Sequence, residues 1–323
     1  MSFRSKNLLV TGGAGFIGSN FIKFILDKYK NIKVYNLDLL TYAGNLKNTI
    51  EFADNPNYKF IKGDICDYSL VKKVFNDFLI DGVINFAAES HVDKSILNPI
   101  RFVKTNILGV SNLLNISLEL WLDSKYNLKS EFKNARFHQV STDEVYGSIR
   151  KGAFDENSPY KPNSPYSASK ASAELMVRSF NKTYNLNATI SVCSNNYGRF
   201  QHEEKFMPKI IYSLINNYPL DVYGDGTNIR DWIHVNDHCR ALELIFKNGK
   251  TGDKYNVGAD CELSNLEIIN KVSNFLGKSL KLNFIDDRKG HDFRYSINSS
   301  KIRNELFWKP NYRIEDFLRS IKK

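Results

Sequence analysis

The chain has 323 residues, 42% of them hydrophobic, 25% charged and 13% aromatic: enough apolar material for one large α/β unit or two lobes, and too much for a disordered chain. The formal net charge of +10 suits an anionic small partner, but no basic cluster with interleaved aromatics goes with it, which argues against nucleic acid. The N-terminal stretch is too short in apolar residues for a secretory signal, no run spans a bilayer, and Cys66, Cys193, Cys239 and Cys261 form no CxxC pair; a cytoplasmic protein with reduced thiols and no metal site is expected.

In chain order, the first half alternates short β-rich runs (7–11, 33–37, 58–62, 82–87 and 136–142) with helical patterns such as 19–29 and 69–78. That rhythm predicts an α/β fold with a doubly wound, Rossmann-type parallel sheet. The first run leads into VTGGAGFIGSN, residues 10–20. Its glycines permit a tight turn and let backbone N–H groups approach a pyrophosphate at a helix N-terminus. Asp38 ends the second run, placed to accept hydrogen bonds from a ribose diol, and Leu39 follows where a 2′-phosphate would want a basic residue; NAD is expected over NADP. Asp64 and Ile65, after the third run, fall beside the adenine end. Ala87-Ala88-Glu89-Ser90-His91 follows the fourth, at the sheet edge where ligands bind.

The segment 99–121 carries apolar residues on more than one face, including Ile100, Phe102, Val103, Leu108, Leu113 and Leu114, and the helix after Pro165 is expected to do the same. Both belong in the core or, alternatively, in a helix-mediated homodimer through 99–121 and 166–184. A further strand is expected over 189–194. Beyond it the rhythm breaks, with turn signals at Gly224-Asp225-Gly226 and Gly249. Residues 1–194 are therefore expected to form the dinucleotide-binding domain, with parts of 231–260, such as 231–234, returning to it. Residues 195–323 are expected to form a smaller α/β substrate lobe.

Two motifs bear on chemistry. Tyr166-x-x-x-Lys170 opens a helix, and that spacing puts both side chains on one face about a turn apart. A tyrosine is a weak base at its ordinary pKa of about 10, but a neighbouring ammonium and a positively charged nicotinamide favour the phenolate. Thr142-Asp143-Glu144 sits at the mouth of the fifth strand. Two adjacent carboxylates there are either a solvated loop pair or an acid and a base for neighbouring atoms of one substrate.

GGAGFIG and YSASK, in this order, resemble the extended short-chain dehydrogenase/reductases. STDEVYG, LTYAGN, AAESHVDKSI, SNNYGRF, YGDGTNIRDWIHVNDH and DRKGHDFRY resemble the dTDP-glucose 4,6-dehydratase family along essentially the whole chain. The resemblance implies an NAD-dependent lyase that removes water across C5–C6 of dTDP-glucose by internal oxidation and reduction, supplying deoxysugar synthesis. It implies catalytic roles for Thr142, Asp143 (acid at C6), Glu144 (base at C5), Tyr166 and Lys170. Cofactor contacts fall on Gly12, Gly15, Phe16, Ile17, Gly18, Asp38, Leu39, Leu40, Thr41, Asp64, Ile65, Ala87, Ala88, Ser90, Thr105, Tyr166, Lys170 and Asn196. Substrate contacts fall on His91, Thr142, Asn195, Lys205, Phe206, Asp221, Val222, Tyr223, Arg230, Asn265, Arg288, His291 and Tyr295. The chain departs from the family pattern at Lys289 and Arg199, where proline is usual, and in the loop FQHEEK. The alternatives are a nucleotide-sugar 4-epimerase, a 4,6-dehydratase for another nucleotide sugar, and a non-catalytic NAD-binding scaffold.

Overall fold

The computed structural model describes residues 3–321. The first half builds β1 (Asn7–Thr11), α1 (Phe16–Lys28), β2 (Lys33–Asp38), β3 (Tyr58–Lys62), α2 (Tyr68–Phe78), β4 (Gly82–Asn85), α3 (Val92–Leu97) and α4 (Pro99–Phe102). A π-helical turn (Val103–Gly109), α5 (Val110–Trp121), β5 (Arg136–Thr142), α6 (Pro165–Tyr184) and β6 (Ala188–Cys193) follow. The strands pair in parallel in one seven-stranded sheet of order β10-β6-β5-β4-β1-β2-β3, in which β10 is Lys254–Val257. Alternate residues serve the two faces. Leu9, Leu37, Val83 and Phe137 pack toward α2, α5 and α6, while Leu8, Val10, Val34 and Ile84 pack toward α1 and α8 (Val235–Asn248). Strand order reverses at β1, so a crevice opens beyond the carboxyl ends of β1 and β4, where such sheets bind ligands.

The remainder supplies β7 (Asn195–Tyr197), α7 (Phe206–Asn216), β8 (Leu220–Tyr223), β9 (Ile229–His234), β11 (Glu262–Ser264), α9 (Asn265–Leu276), β12 (Leu282–Ile285), α10 (Ser300–Leu306) and α11 (Ile314–Ile321). β11-β9-β7 form a three-stranded sheet and β12-β8 a two-stranded one, packed with α7, α9 and α11 over a separate core of Met207, Ile210, Trp232, Ile268 and Leu318. Residues 231–234 do not pair with the large sheet, but Ile233 packs against Cys193, Tyr255 and Val257 of its strands. The segment 231–234 lies in β9, and the return is made by α8 and β10. Residues 300–308, expected in the second lobe, also pack back: Ile302, Leu306 and Trp308 cover Tyr255 and Val257 of β10 and Ile245 of α8.

The segment 99–121 keeps its apolar pattern but not full burial. Phe102, Leu113, Leu114 and Trp121 are inside, whereas Ile100 is 64% exposed, and Val103 and Leu108 are exposed as well. The helix after Pro165 corrects the expectation outright. Its buried face carries Lys170 and Glu174 along with Ala171 and Val177, and Leu175 is exposed.

Candidate active site

Gly12 ends the turn after β1 at φ +69°, and a Cβ there would lie 2.6 Å from the Ala87 backbone nitrogen. A Cβ on Gly18 would lie 2.4 Å from the Gly12 carbonyl. Only glycine lets helix α1 start this close to the sheet. Gly15, the N-cap of α1, makes no side-chain cap, which leaves the N–H groups of the first turn for an anion. The Asp38 carboxylate is buried and already accepts from the Ala14 and Leu40 N–H groups at 2.9 and 2.8 Å. Burial raises its pKa and those two bonds oppose the rise.

A cavity runs from this turn across the strand ends. It is lined by Gly12, Gly15, Phe16, Ile17, Gly18, Asp38, Leu39, Thr41, Asp64, Ile65, Ala87, Ala88, Ser90, Thr105, Tyr166, Lys170 and Asn196. Leu40 is the one expected cofactor residue outside the lining; it takes φ 57° and serves the turn by donating its N–H to Asp38. The π-helical turn carries Thr105 into the lining, and its Asn106 brackets Glu89 N and O at 2.9 and 3.0 Å. Asn196 is held by His238 Nδ1 at 2.9 Å. The glycine cradle and the Asp38 carboxylate fit a dinucleotide, and no basic side chain follows Asp38 to fit a 2′-phosphate.

Thr142, Asp143 and Glu144 line the same cavity as Tyr166 and Lys170. They lie at the end of β5 and in the tight 3-10 turn after it. Asp143 is 3% exposed, so the pair is not a solvated loop feature. Its Oδ1 accepts from the Thr142 hydroxyl at 3.3 Å, while Oδ2 is buried without a hydrogen-bond partner among the described residues. Burial first, then Glu144, holds its pKa well above the usual carboxylate range. Burial raises Glu144 too, but Arg230, Lys205 and Arg288 pull it back. The two carboxyls are thus pushed apart toward an acid and a base.

Lys170 donates to the Val140 carbonyl at 2.7 Å, and burial lowers its pKa to about 8. Tyr166 runs against the expected phenolate: burial and Glu144 raise it well above its ordinary value, with the Thr142 hydroxyl opposing. Desolvation is the first cause in the protein alone; the expected phenolate drew also on a positively charged nicotinamide.

On the substrate side, Asn195 and Lys205 line the cavity, and Lys205 donates to Ser90 O at 3.0 Å. Arg199 is accommodated by an ion pair with Glu51 and a bond from Asn20 to its carbonyl at 2.9 Å. The other expected contacts gather in a cluster beyond the cavity lining. Arg230 stacks on Tyr295 and spends its terminal nitrogens on Ile229 O, Phe293 O, Asp292 O and His291 Nε2. Because Arg only donates, His291 Nε2 accepts, and its Nδ1 carries the proton toward Asp287 at 2.6 Å. Arg288 is freer: it stacks on Tyr223, and its buried Nε faces Asp93 at 3.7 Å without a hydrogen bond among the described residues. His91 faces Asp93 and Glu204. The Val222 side chain is buried in the second-lobe core, which leaves its backbone for any contact with a nucleotide base. Asp221 bonds Asn283, Asn265 opens α9, and Phe206 packs beside that core.

Residues not foreseen also line the cavity, among them Gly44, Cys193, Gln201, His202 and Glu204. Gly44 had a signal, lying in LTYAGN, where a Cβ would meet Asp38 Oδ1 at 2.7 Å. Gln201, whose Nε2 donates to Asn196 O at 2.8 Å, had none, because loop residues reach a site only through the fold.

Residues 9–321 match the family described as GDP-mannose 4,6 dehydratase. The chain belongs to that family. It is 43% identical to a dTDP-glucose 4,6-dehydratase of Haemophilus influenzae, over 98% of this chain and 97% of the relative. The solved dTDP-glucose 4,6-dehydratase DesIV of Streptomyces venezuelae, with NAD bound, superposes with a TM-score of 0.90 at 40% identity, covering 98% of this chain and 96% of its own. A UDP-glucuronic acid 4-epimerase of Bacillus cereus, also with NAD, superposes at 0.87 with 28% identity, covering 97% of this chain and 96% of its own. The fold is therefore common to both chemistries, and the family's Rossmann-type extended short-chain dehydrogenase/reductase architecture does not by itself choose between them.

Proposed function

We propose that the protein is an NAD-dependent dTDP-glucose 4,6-dehydratase, a hydro-lyase giving the 4-keto-6-deoxy sugar. The observation that carries this is the buried Asp143 beside Glu144 in the cavity that holds Tyr166 and Lys170. A 4-epimerase needs the tyrosine and lysine but no acid and base for two further carbons. Relatives with the same name, at 40–43% identity along nearly the full chain, support the substrate.

A bound NAD would supply the hydride acceptor for C4, the hydride for C6 and a positive charge that favours a Tyr166 phenolate. Gly12, Gly15 and Gly18 would seat its pyrophosphate, Asp38 its adenosine ribose, and Lys170 the nicotinamide ribose. Tyr166 accepts the C4 hydroxyl proton, helped by Thr142 on the same oxygen. With C4 a ketone, the C5 proton is acidic, and Glu144 removes it. Asp143 protonates the departing C6 hydroxyl, which leaves as water. Glu144 returns its proton to C5. Arg230 and Arg288 would supply cations to the nucleotide diphosphate, and Arg suits the two-pronged contact.

The exposed apolar residues Ile100, Val103, Leu108 and Leu175, on helices that pack against one another, support a homodimer through 99–121 and 166–184. Among the described residues no helix is long and apolar enough to cross a membrane; with four free cysteines, this supports a cytoplasmic setting. The deciding experiment is to incubate the protein with dTDP-glucose and follow product mass and alkaline absorbance. Loss of one water with a 4-keto chromophore is expected. An isomer of unchanged mass would make the protein an epimerase.

A further inference from the structure

Beneath the catalytic residues lies a carboxylate that the chemistry above does not use. Glu174 sits one turn beyond Lys170 on α6 and is completely buried. Its Oε1 accepts from the Ser141 hydroxyl at 2.5 Å and its Oε2 from the Tyr160 hydroxyl at 2.8 Å. Lys254 of β10 stands 3.7 Å away, stacked between the rings of Tyr146 and Tyr160. A buried ion pair is a weak source of stability, and an apolar residue of like volume usually serves a core as well. The neighbours on the same buried face, Ala171 and Val177, are apolar.

What Glu174 touches is informative. Ser141 directly precedes Thr142-Asp143-Glu144, and the residue before it, Val140, gives its carbonyl to Lys170. The end of β5 is thus tied to α6 at two consecutive positions. One tie passes through the lysine of the oxidising pair, the other through Glu174. Oxidation at C4 is carried by α6, whereas water loss across C5–C6 is carried by the end of β5. The two sets must address adjacent carbons of one hexose, and misplacement by about 1 Å can cost 100-fold.

We propose that Glu174 is a positioning residue: through Ser141 it holds the Asp143–Glu144 pair in register with Tyr166 and Lys170, keeping water loss in step with oxidation. The inference rests on the dehydratase function proposed above. The test uses the full chain with its cofactor and dTDP-glucose, comparing wild type, Ser141→Ala, Glu174→Gln and Glu174→Leu. Near-ultraviolet absorbance gives reduced cofactor, mass gives hydrated and dehydrated 4-keto sugar, and thermal melting gives the fold. Ser141→Ala is expected to melt like wild type yet to build up reduced cofactor and hydrated ketone. Its ratio of dehydrated product to oxidised sugar should fall about tenfold to 100-fold, the effect of one lost bond to a charged group. Glu174→Gln, which can still bond both hydroxyls, should fall between wild type and Glu174→Leu.

An unchanged ratio in Ser141→Ala, or a fall of every step in proportion to lost melting temperature, overturns the positioning role. If Glu174→Leu does not fold, Ser141→Ala still decides. If wild type leaves dTDP-glucose intact, the dehydratase assignment fails and this inference with it. If wild type dehydrates and the Ser141→Ala ratio does not move, only the inference fails.

Discussion

On the large-sheet side, the cavity wall is mostly backbone: Gly12 at φ 69°, the open first turn of α1, and the Asp38 carboxylate fixed by two N–H groups. On the second-lobe side, beyond the cavity lining, stand charged side chains that already have partners, Arg230 on His291 and three backbone carbonyls, Arg288 against Asp93. A backbone wall has one shape and no alternative partner, so it is preorganised but brittle. A wall of paired charges can exchange partners when an anion arrives, and it tolerates change at single positions. On the proposed function, the cofactor that must stay through a turnover would sit on the first kind, and the substrate that must enter and leave would meet the second.

The largest expected effect lies at the seam between them. Glu144→Gln removes the base at C5 but leaves Tyr166 and Lys170, so dehydration should fall by about 100-fold to 10,000-fold while reduced cofactor still accumulates slowly. Stopped-flow absorbance with product mass checks this; normal dehydration by the variant would overturn the assignment of Glu144. Next comes the backbone wall. Gly12→Ala puts a Cβ 2.6 Å from the Ala87 nitrogen at a left-handed φ. Strain of about 1–3 kcal/mol should weaken cofactor binding about 10-fold to 100-fold, read as lost cofactor in the purified protein and a lower melting temperature. Unchanged cofactor content would show that the wall is not brittle.

The same contrast explains what the sequence disclosed. β1, β3 and β5 fall where alternation and turn residues put them, and the glycine turn with Asp38 is legible because its parts are local or joined by one strand pairing, Thr11 beside Leu37. Gln201, Cys193 and Glu174 were not legible, because each acquires its role only when distant segments meet. Two helices misled for a related reason. Lys170 and Glu174 are buried against partners, Ser141 and the Val140 carbonyl, that periodicity does not see, while Ile100 and Leu108 are apolar yet exposed on the single chain. The return of part of 231–260 to the large sheet was legible only as a range: β9 has the stronger β pattern, yet β10 supplies the outer strand.

Arg288→Met tests the paired-charge wall. Losing one charge-assisted contact to the diphosphate should raise KM for dTDP-glucose about tenfold with cofactor content and melting unchanged. A loss of cofactor in this variant would mean that the two walls are not independent.

The smallest effect has the opposite sign and sharpens the comparison most. Asp93 reaches Arg288 at 3.7 Å and accepts from Tyr223 at 3.4 Å, with its side chain 36% exposed. Such an exposed pair is worth about 0.2–1 kcal/mol. If Arg288 must leave Asp93 to meet a diphosphate, then Asp93→Asn removes a competitor for the guanidinium. KM should fall, by no more than about fivefold, and the gain should vanish in the double variant with Arg288→Met, because the two substitutions act through one contact. Initial rates at low salt measure it, since screening by salt would erase the difference. A rise in KM on Asp93→Asn would mean that Asp93 orients Arg288 toward the substrate instead of holding it away, and the second-lobe wall would then be as preorganised as the first.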